Sequence, residues 1–532
     1  MRSESAFAQE RDQITAPGRN PHLRSQVLTY LLPSAGDLIF MVLFFALSYG
    51  ALAPGMLGDA DVGWHIRNGE FILSTRTVPH TDSFSATKAG QPWFAWEWMY
   101  DALIALVHSR AGLNGVVAFS ALLIALTFLL VCRLAMQRGA TLVTTLLPLL
   151  LCVVASSIHF LARPHVVGWM LTIVWFWILD SSHRFTLNTG RADPTLAFLP
   201  PLMILWVNLH GSFVMGFIFL GIYAAADLLM AWRPICDQTR QPARVHARVV
   251  GGVFILVALC SLLNPYGYKL HMHVYQYLSS RFLMQHIEEF RTPSLQGLPA
   301  QFFFLLVALT MIAIVTVRGR LRWIEWLIIT FSVFSGFWAA RNLPVASMLL
   351  TIVVGPLLPL ARSESRKVSR LRQLGDRLTQ FDSSLRGHFW PLVMVTITFG
   401  ICLNQGNLFG RRWMNAHFSE RRFPAQAVHF LVQRGNPEAI LSLDSAGGYL
   451  IYRLYPEWKV FIDDRHDFYG EVYLKSYLKV VHGEPGWERV LDDERVNLAI
   501  FPTESKLSER MRATAEWKVA YSDSTATVFE RK

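Results

Sequence analysis

Cysteine and charge are both scarce in this chain. The five cysteines, Cys132, Cys152, Cys236, Cys260 and Cys402, include no CxxC pair, and none follows position 402. That excludes a disulfide framework and a cysteine-ligated metal site. Only 16% of the 532 residues are charged while 52% are hydrophobic, and mean hydropathy is +0.32, too apolar a balance for a soluble enzyme of this length. No H-E-x-x-H occurs and no glycine-rich nucleotide fingerprint is complete, so neither a metalloprotease helix nor a dinucleotide fold is indicated. The short alternating segments of a transmembrane β-barrel are missing as well. What the chain does have is a series of apolar runs of about 17 to 25 residues, each able to cross ~30 Å of hydrocarbon as a helix.

These runs place spans at 36–57, 111–136, 141–161, 164–180, 194–210, 213–232, 248–263, 300–317, 323–340, 342–361 and 389–405, about eleven crossings. The predicted fold is a polytopic α-helical membrane domain over 36–405, preceded by a polar tail at 1–35 and followed by an α/β domain at 406–532. The tail, with Arg2, Arg11, Arg19 and Arg24, is too long for a cleaved signal peptide. A net charge of +11 and a pI near 9.5 would suit nucleic acid only if gathered in one patch. Instead the arginines occupy alternate connections, at 133–138, 181–193, 233–248, 318–322 and 362–386. The positive-inside rule puts those loops and the N-terminus in the cytoplasm, and nucleic acid is excluded as a partner. The odd number of spans then sends the C-terminal domain outside, the topology of a multi-pass protein of a bacterial inner membrane with a periplasmic domain.

The same parity sorts the remaining polar residues. Asp59, Asp61, His65, Arg67 and Glu97, the corner Arg163-Pro164-His165, Asn208 with His210, the loop 264–298 and Arg341-Asn342 all fall outside. Snorkelling accounts for any single arginine or histidine at a span end. Carboxylates, imidazoles and guanidiniums in five separate outer connections instead suggest one shared site, because ionisable groups beside hydrocarbon are costly and face a cavity or a partner.

The loop 58–110 is far longer than an ordinary connection and carries Trp64, Trp93, Trp96 and Trp98. Apolar spacing over 62–73 and 98–107 predicts helices lying along the membrane surface. Asp59 and Asp61 follow directly on the first span, at the depth of a lipid phosphate.

With the acidic pair Asp59-x-Asp61 after span one, a long amphipathic first outer loop, a many-span core and an outer C-terminal domain, the chain resembles the GT-C class of glycosyltransferases. That superfamily includes protein O-mannosyltransferases and aminoarabinose transferases. Within it the chain looks most like the bacterial group with an RgtA/B/C/D-like domain. Trp96-Glu97-Trp98, Arg163-Pro164-His165, Trp206-Val-Asn208-Leu-His210 and Asn264-Pro265-Tyr266 look like motifs of large bacterial membrane families. Where the mannosyltransferases have adjacent Asp-Glu, this chain has Asp59-Ala60-Asp61.

The resemblance implies a polyprenyl-phosphate sugar as donor and the first-loop acid as the catalytic group. Such a transfer needs a base for the acceptor hydroxyl, a role that fits Asp59 or Asp61 with Glu97 nearby. It also needs positive charge for the leaving phosphate. Arg163 and Arg341, as planar forks, rank ahead of Lys269. His65, His165, Asn208, His210, Asn264, Tyr266 and Glu288 are candidate substrate contacts. Asp59, Asp61 and His65 would hold a divalent ion if one is used, although their spacing is not diagnostic. Sugar and acceptor stay open, membrane lipids are the expected surroundings, and a lipid or glycan transporter or an assembly subunit is the alternative.

After residue 405 the pattern alternates helix and strand. Helices are predicted at 423–434, 447–455, 469–482, 486–495 and 505–515, and strands at 439–444, 458–463, 497–502, 517–522 and 525–530. This reads as a small α/β sheet. The run from Val460 to Asp467 puts Asp463 and Arg465 just past the carboxyl end of a strand, where open α/β sheets bind ligands.

Overall fold

The computed structural model describes residues 29–233, 237–317, 321–358 and 366–532. The tail before residue 29, Cys236, Arg318, Arg320 and Arg362 lie outside the described residues.

Among the described residues, eight helices are long and apolar enough to cross a membrane: Thr29–Ser48, Trp98–Gln137, Leu142–His159, His165–Thr189, Gly211–Trp232, Asp237–Cys260, Leu298–Val317 and Ala340–Leu357. Their outer surfaces show Leu228 and Val315 to the surroundings, as hydrocarbon solvent requires. The predicted spans 194–210 and 323–340 fall on shorter apolar helices, and 389–405 falls on Phe389–Leu403, which bends by 63° from the helix before it. The architecture is that of a polytopic helical membrane protein, and the predicted count of eleven includes segments that are short or bent. Thr141 opens the span at Leu142 with a capping box, its hydroxyl accepting from the Thr144 N–H. The loop helix predicted at 98–107 continues into the second span, broken at Gly112, whose φ of 57° favours glycine.

Residues from connections predicted to share one side meet at one end of the bundle. Arg138 pairs with Asp180 and lies 3.6 Å from Glu325, Arg184 Nε is 3.0 Å from Asp180, and Arg322 is 2.6 Å from Glu325. Beside them Asp227 lies 3.1 Å from His183 and 2.6 Å from His246. Ionisable groups inside spans are thus paired.

The C-terminal domain begins with a hairpin of β1 (Asn407–Leu408) and β2 (Arg411–Arg412). A five-stranded sheet follows, built from β3 (Ala439–Ser442), β4 (Lys459–Val460), β5 (Leu498–Pro502), β6 (Trp517–Ser522) and β7 (Ala526–Arg531) in the order β4-β3-β5-β7-β6. β3 is parallel to β4 and β5, and β7 is antiparallel to β5 and β6. Helices occupy every connection where the alternation predicted one. β4 is shorter than predicted, because the chain turns away after Val460 to present the following acidic run.

The first outer loop covers the β4 edge of this sheet. Ser85 bridges Val460 in parallel, the Ala86 N–H donates to the Val460 carbonyl at 2.8 Å, and Thr87 Oγ1 donates to the Phe461 carbonyl at 2.8 Å. A covered edge cannot recruit other strands. The helix Asp61–Thr75 approaches the helix Asp444–Leu454 so closely that a Cβ on Gly63 would sit 2.2 Å from the Gly448 carbonyl oxygen. The loop therefore does not simply lie along a membrane surface. Trp64 and Trp93 are buried against the C-terminal domain, which takes the apolar surface the sequence reading assigned to lipid.

Candidate active site

A 3-10 turn, Ala53–Leu57, carries the chain from the first span to Asp59. Asp59 Oδ1 accepts the Asp61 N–H at 2.9 Å, an Asx turn that starts the next helix and leaves both carboxylates facing Arg163. Arg163 Nη1 is 2.8 Å from Asp59 and 2.9 Å from Glu289, and its Nη2 is 2.7 Å from Asp61. Trp64 Nε1 donates to the other Asp61 oxygen at 3.1 Å. Asp464, in the turn after β4, adds a carboxylate from the C-terminal domain. Oxygens of Asp59, Asp61 and Asp464 all lie within 4.8 Å of one another, and Asp464 also belongs to a group with Asp444 and His466.

Asp464 faces this site because its neighbours face away from it. Asp463 accepts from Arg465 Nε and Nη2 at 2.7 Å each and from the Tyr469 hydroxyl at 2.9 Å. Arg465 Nη2 also lies 2.8 Å from Asp82 of the first loop. Its guanidinium carbon is 4.6 Å from the Trp93 ring centroid, 5.1 Å from Phe468 and 5.2 Å from Phe84. Asp463 and Arg465, expected as ligand contacts, are instead a buried clamp between the domain and the loop.

Behind the acidic centre, Glu97 sits between two imidazoles, 3.8 Å from His65 Nε2 and 3.4 Å from His210 Nε2. His65 Nδ1 lies 2.6 Å from Asp101, whose other oxygen accepts from Asn68 at 2.6 Å. His65 therefore points to Asp101 and Glu97 and lies outside the carboxylate groupings around Asp464.

Several predicted contacts hold loops together. Asn208 accepts from Trp98 Nε1 at 2.7 Å and donates to the Leu263 carbonyl at 2.9 Å. Asn264 accepts the Tyr266 N–H at 2.9 Å, and the Tyr266 hydroxyl accepts from Ala95 and donates to Pro79. His165 Nε2 lies 2.8 Å from the His159 carbonyl. Arg341 lies 4.4 Å over the Phe290 ring and has no ion-pair partner among the described residues. Lys269 and Glu288 are exposed, and it is Glu289 that reaches Arg163. The predicted set thus contains Asp59, Asp61, Glu97, Arg163, His65 and His210, but Glu289, Asp464, Asp101 and Asn68 come from the structure.

Burial separates the protonation behaviour of these groups. It raises the Asp61 carboxyl to about 6 despite Arg163 beside it. Burial, with Asp101 and Asp61 adding to it, pushes Glu97 well above the carboxylate range. Asp464 is raised by burial and by Asp61, Asp444 and Asp59. Burial lowers His65 and His210 to about 3. Glu289 goes the other way, because Arg163 and His159 outweigh its burial and hold it below the usual range. The site sets Asp61, raised to about 6, beside a Glu97 carboxyl that burial also holds well above its ordinary range.

The fold is a polytopic helical core with a charged site at one end and an α/β domain closing over it. The structure is similar to that of the archaeal oligosaccharyltransferase AglB from Archaeoglobus fulgidus in complex with an inhibitory peptide and a dolichol-phosphate, at TM-score 0.54 and 12% identity, covering 91% of this chain and 69% of that one. It is similar also to the Archaeoglobus fulgidus oligosaccharyltransferase in complex with Zn and sulfate, at TM-score 0.52 and 12% identity, covering 93% and 73%. ArnT from Cupriavidus metallidurans in the apo state aligns over 96% of this chain and 98% of that one, at TM-score 0.49 and 12% identity. At such identities the likeness is one of fold. No family model matches the chain, and no curated protein matches its sequence.

Proposed function

We propose that the protein is a membrane glycosyltransferase, moving a sugar from a polyprenyl-phosphate donor to an acceptor on the outer face of a bacterial inner membrane. The observation that carries this reading is the convergence of Asp59, Asp61 and Glu289 on Arg163, with Asp464 of the C-terminal domain facing the same point. Its fold neighbour's complex with dolichol-phosphate supports a lipid phosphate as the donor's leaving group.

In the proposed reaction an acceptor hydroxyl attacks the anomeric carbon while the bond from that carbon to the phosphate oxygen breaks. Asp61, or Asp59 beside it, takes the hydroxyl proton, a contribution of about 10²–10⁴-fold. A carboxyl near 6 suits this task, being ionised at neutral pH yet more basic than an exposed aspartate. Arg163 is already engaged by three carboxylates and orients the base. Arg341, which makes no ion pair among the described residues, matches the phosphate oxygens as a fork. Glu97, whose burial favours the neutral form, offers a hydrogen bond in that form to charge developing on the leaving group.

The oxygens of Asp59, Asp61 and Asp464 fit a divalent cation as a hard donor set, with Arg163 as the competing positive charge. Such an ion, when bound, supplies Lewis-acid stabilisation of phosphate charge. The Zn in the second oligosaccharyltransferase structure supports testing for it.

Purified protein in vesicles containing polyprenyl-phosphate sugars, with envelope extract as acceptor source, should release polyprenyl phosphate as sugar appears on a new product. Movement of intact donor between leaflets without cleavage would establish the transporter alternative instead.

A further inference from the structure

The helix Arg366–Ser384 takes no part in the proposed reaction. It lies at the end of the bundle away from Arg163, tied to the start of two spans. The Leu142 N–H donates to Thr379 Oγ1 at 2.8 Å, and the Ala35 N–H donates to Asp382 Oδ1 at 2.6 Å. Gly375, buried, faces Thr141 on the same side of the helix. The next helix, Phe389–Leu403, meets its Arg372–Ser384 portion at 63°. This helix therefore crosses the end of the bundle where its successor runs along it.

Its other side is unpartnered and amphipathic. Leu374, Leu378 and Phe381 recur at i, i+4 and i+7 and are 50%, 38% and 56% exposed, a stripe that would remain in water unless something apolar met it. Arg370 and Arg377 are exposed beside it. Over 366–386 the chain carries Arg366, Lys367, Arg370, Arg372, Arg377 and Arg386 against Asp376 and Asp382, and Asp382 is occupied by the Ala35 N–H. A basic helix with one apolar stripe, followed at a sharp bend by the apolar helix Phe389–Leu403, complements one surface: a leaflet with negatively charged headgroups.

We infer that Arg366–Ser384 is an interfacial helix that lays Leu374, Leu378 and Phe381 into the acyl boundary of the leaflet opposite the active-site face and binds anionic phospholipid headgroups through Arg370 and Arg377. The inference is independent of the sugar-transfer chemistry.

The test uses the full chain in nanodiscs of phosphatidylcholine with or without phosphatidylglycerol. After Cys236→Ser and Cys260→Ser, single nitroxide labels are placed through Leu374→Cys, Leu378→Cys or Phe381→Cys, with Gln373→Cys and Gln380→Cys as controls on the adjacent polar face. Labels on the stripe should collide with oxygen more than with a water-soluble nickel chelate, and the controls should reverse this. Native mass spectrometry should show phosphatidylglycerol retained over phosphatidylcholine, the preference falling ~5-fold for each of Arg370→Gln and Arg377→Gln. Three results would overturn the inference: stripe labels open to the chelate, dipolar broadening showing that a second copy covers the stripe, or lipid-exposed labels with no arginine-dependent preference for phosphatidylglycerol.

Discussion

Replacing Arg465 with leucine should loosen the C-terminal domain from the first outer loop without unfolding the membrane helices. Arg465 is buried and neutralises two carboxylates from different parts of the chain, Asp463 at 2.7 Å and Asp82 at 2.8 Å. Removing one partner of a buried ion pair leaves uncompensated charge and costs about 3–5 kcal/mol. Stacking against Trp93 and Phe84 is lost as well, at about 0.5–2 kcal/mol for each ring. A loss of about 3 kcal/mol is a ~150-fold rise in the opening equilibrium. Hydrogen exchange should therefore accelerate by about that factor at Ala86, whose N–H donates to Val460, and at Val460, whose N–H donates to Phe84. Arg465→Lys keeps the charge but loses the fork, so its effect should be smaller, about 1.5–3 kcal/mol. Neutralising the whole set with Asp82→Asn, Asp463→Asn and Arg465→Met should recover much of the protection, because apolar replacement of a buried charge set can be neutral. Unchanged exchange in Arg465→Leu would refute the clamp.

Three further outcomes are expected. Gly448→Ala puts a Cβ 2.4 Å from the Ala60 carbonyl oxygen, where backbone cannot yield, so the apparent melting temperature should drop by the equivalent of about 1–3 kcal/mol of overpacking. Asp61 holds its proton in the folded state from its ordinary 3.8 up to about 6; its contribution to stability therefore falls as pH rises through that window. Sugar transfer should rise over the same range to a plateau above about 6, and Asp61→Asn should erase this limb of the pH–rate profile. Arg341→Ala should raise the donor KM about 10- to 100-fold, as expected for losing a hydrogen bond to a charged group, with Arg341→Lys recovering only part of it.

The polytopic helical architecture and the α/β alternation were legible because each depends on local periodicity along the chain. Asp59, Asp61 and Arg163 were legible for a related reason, as polar residues at the ends of apolar runs that parity placed on one side. Asp464 was not. Choosing it over Asp463 and Arg465 requires knowing that Asp463 accepts the Arg465 N–H at 3.0 Å, which turns Asp464 alone toward the first loop. Glu289 against Glu288 is a similar choice, decided by which side chain reaches Arg163. The burial of Trp64 and Trp93 was misread as interfacial because tryptophan suits both lipid headgroups and a domain contact, and only the contact between residues near 85 and 460 separates the two.

The most direct test compares sugar transfer from a polyprenyl-phosphate donor by wild-type protein with transfer by Asp59→Asn and Asp61→Asn, each shown by hydrogen exchange to keep its fold. At least one of the two should lose about 10²–10⁴-fold in rate while still binding donor. Full transfer by both would contradict a catalytic role for the acidic pair on Arg163.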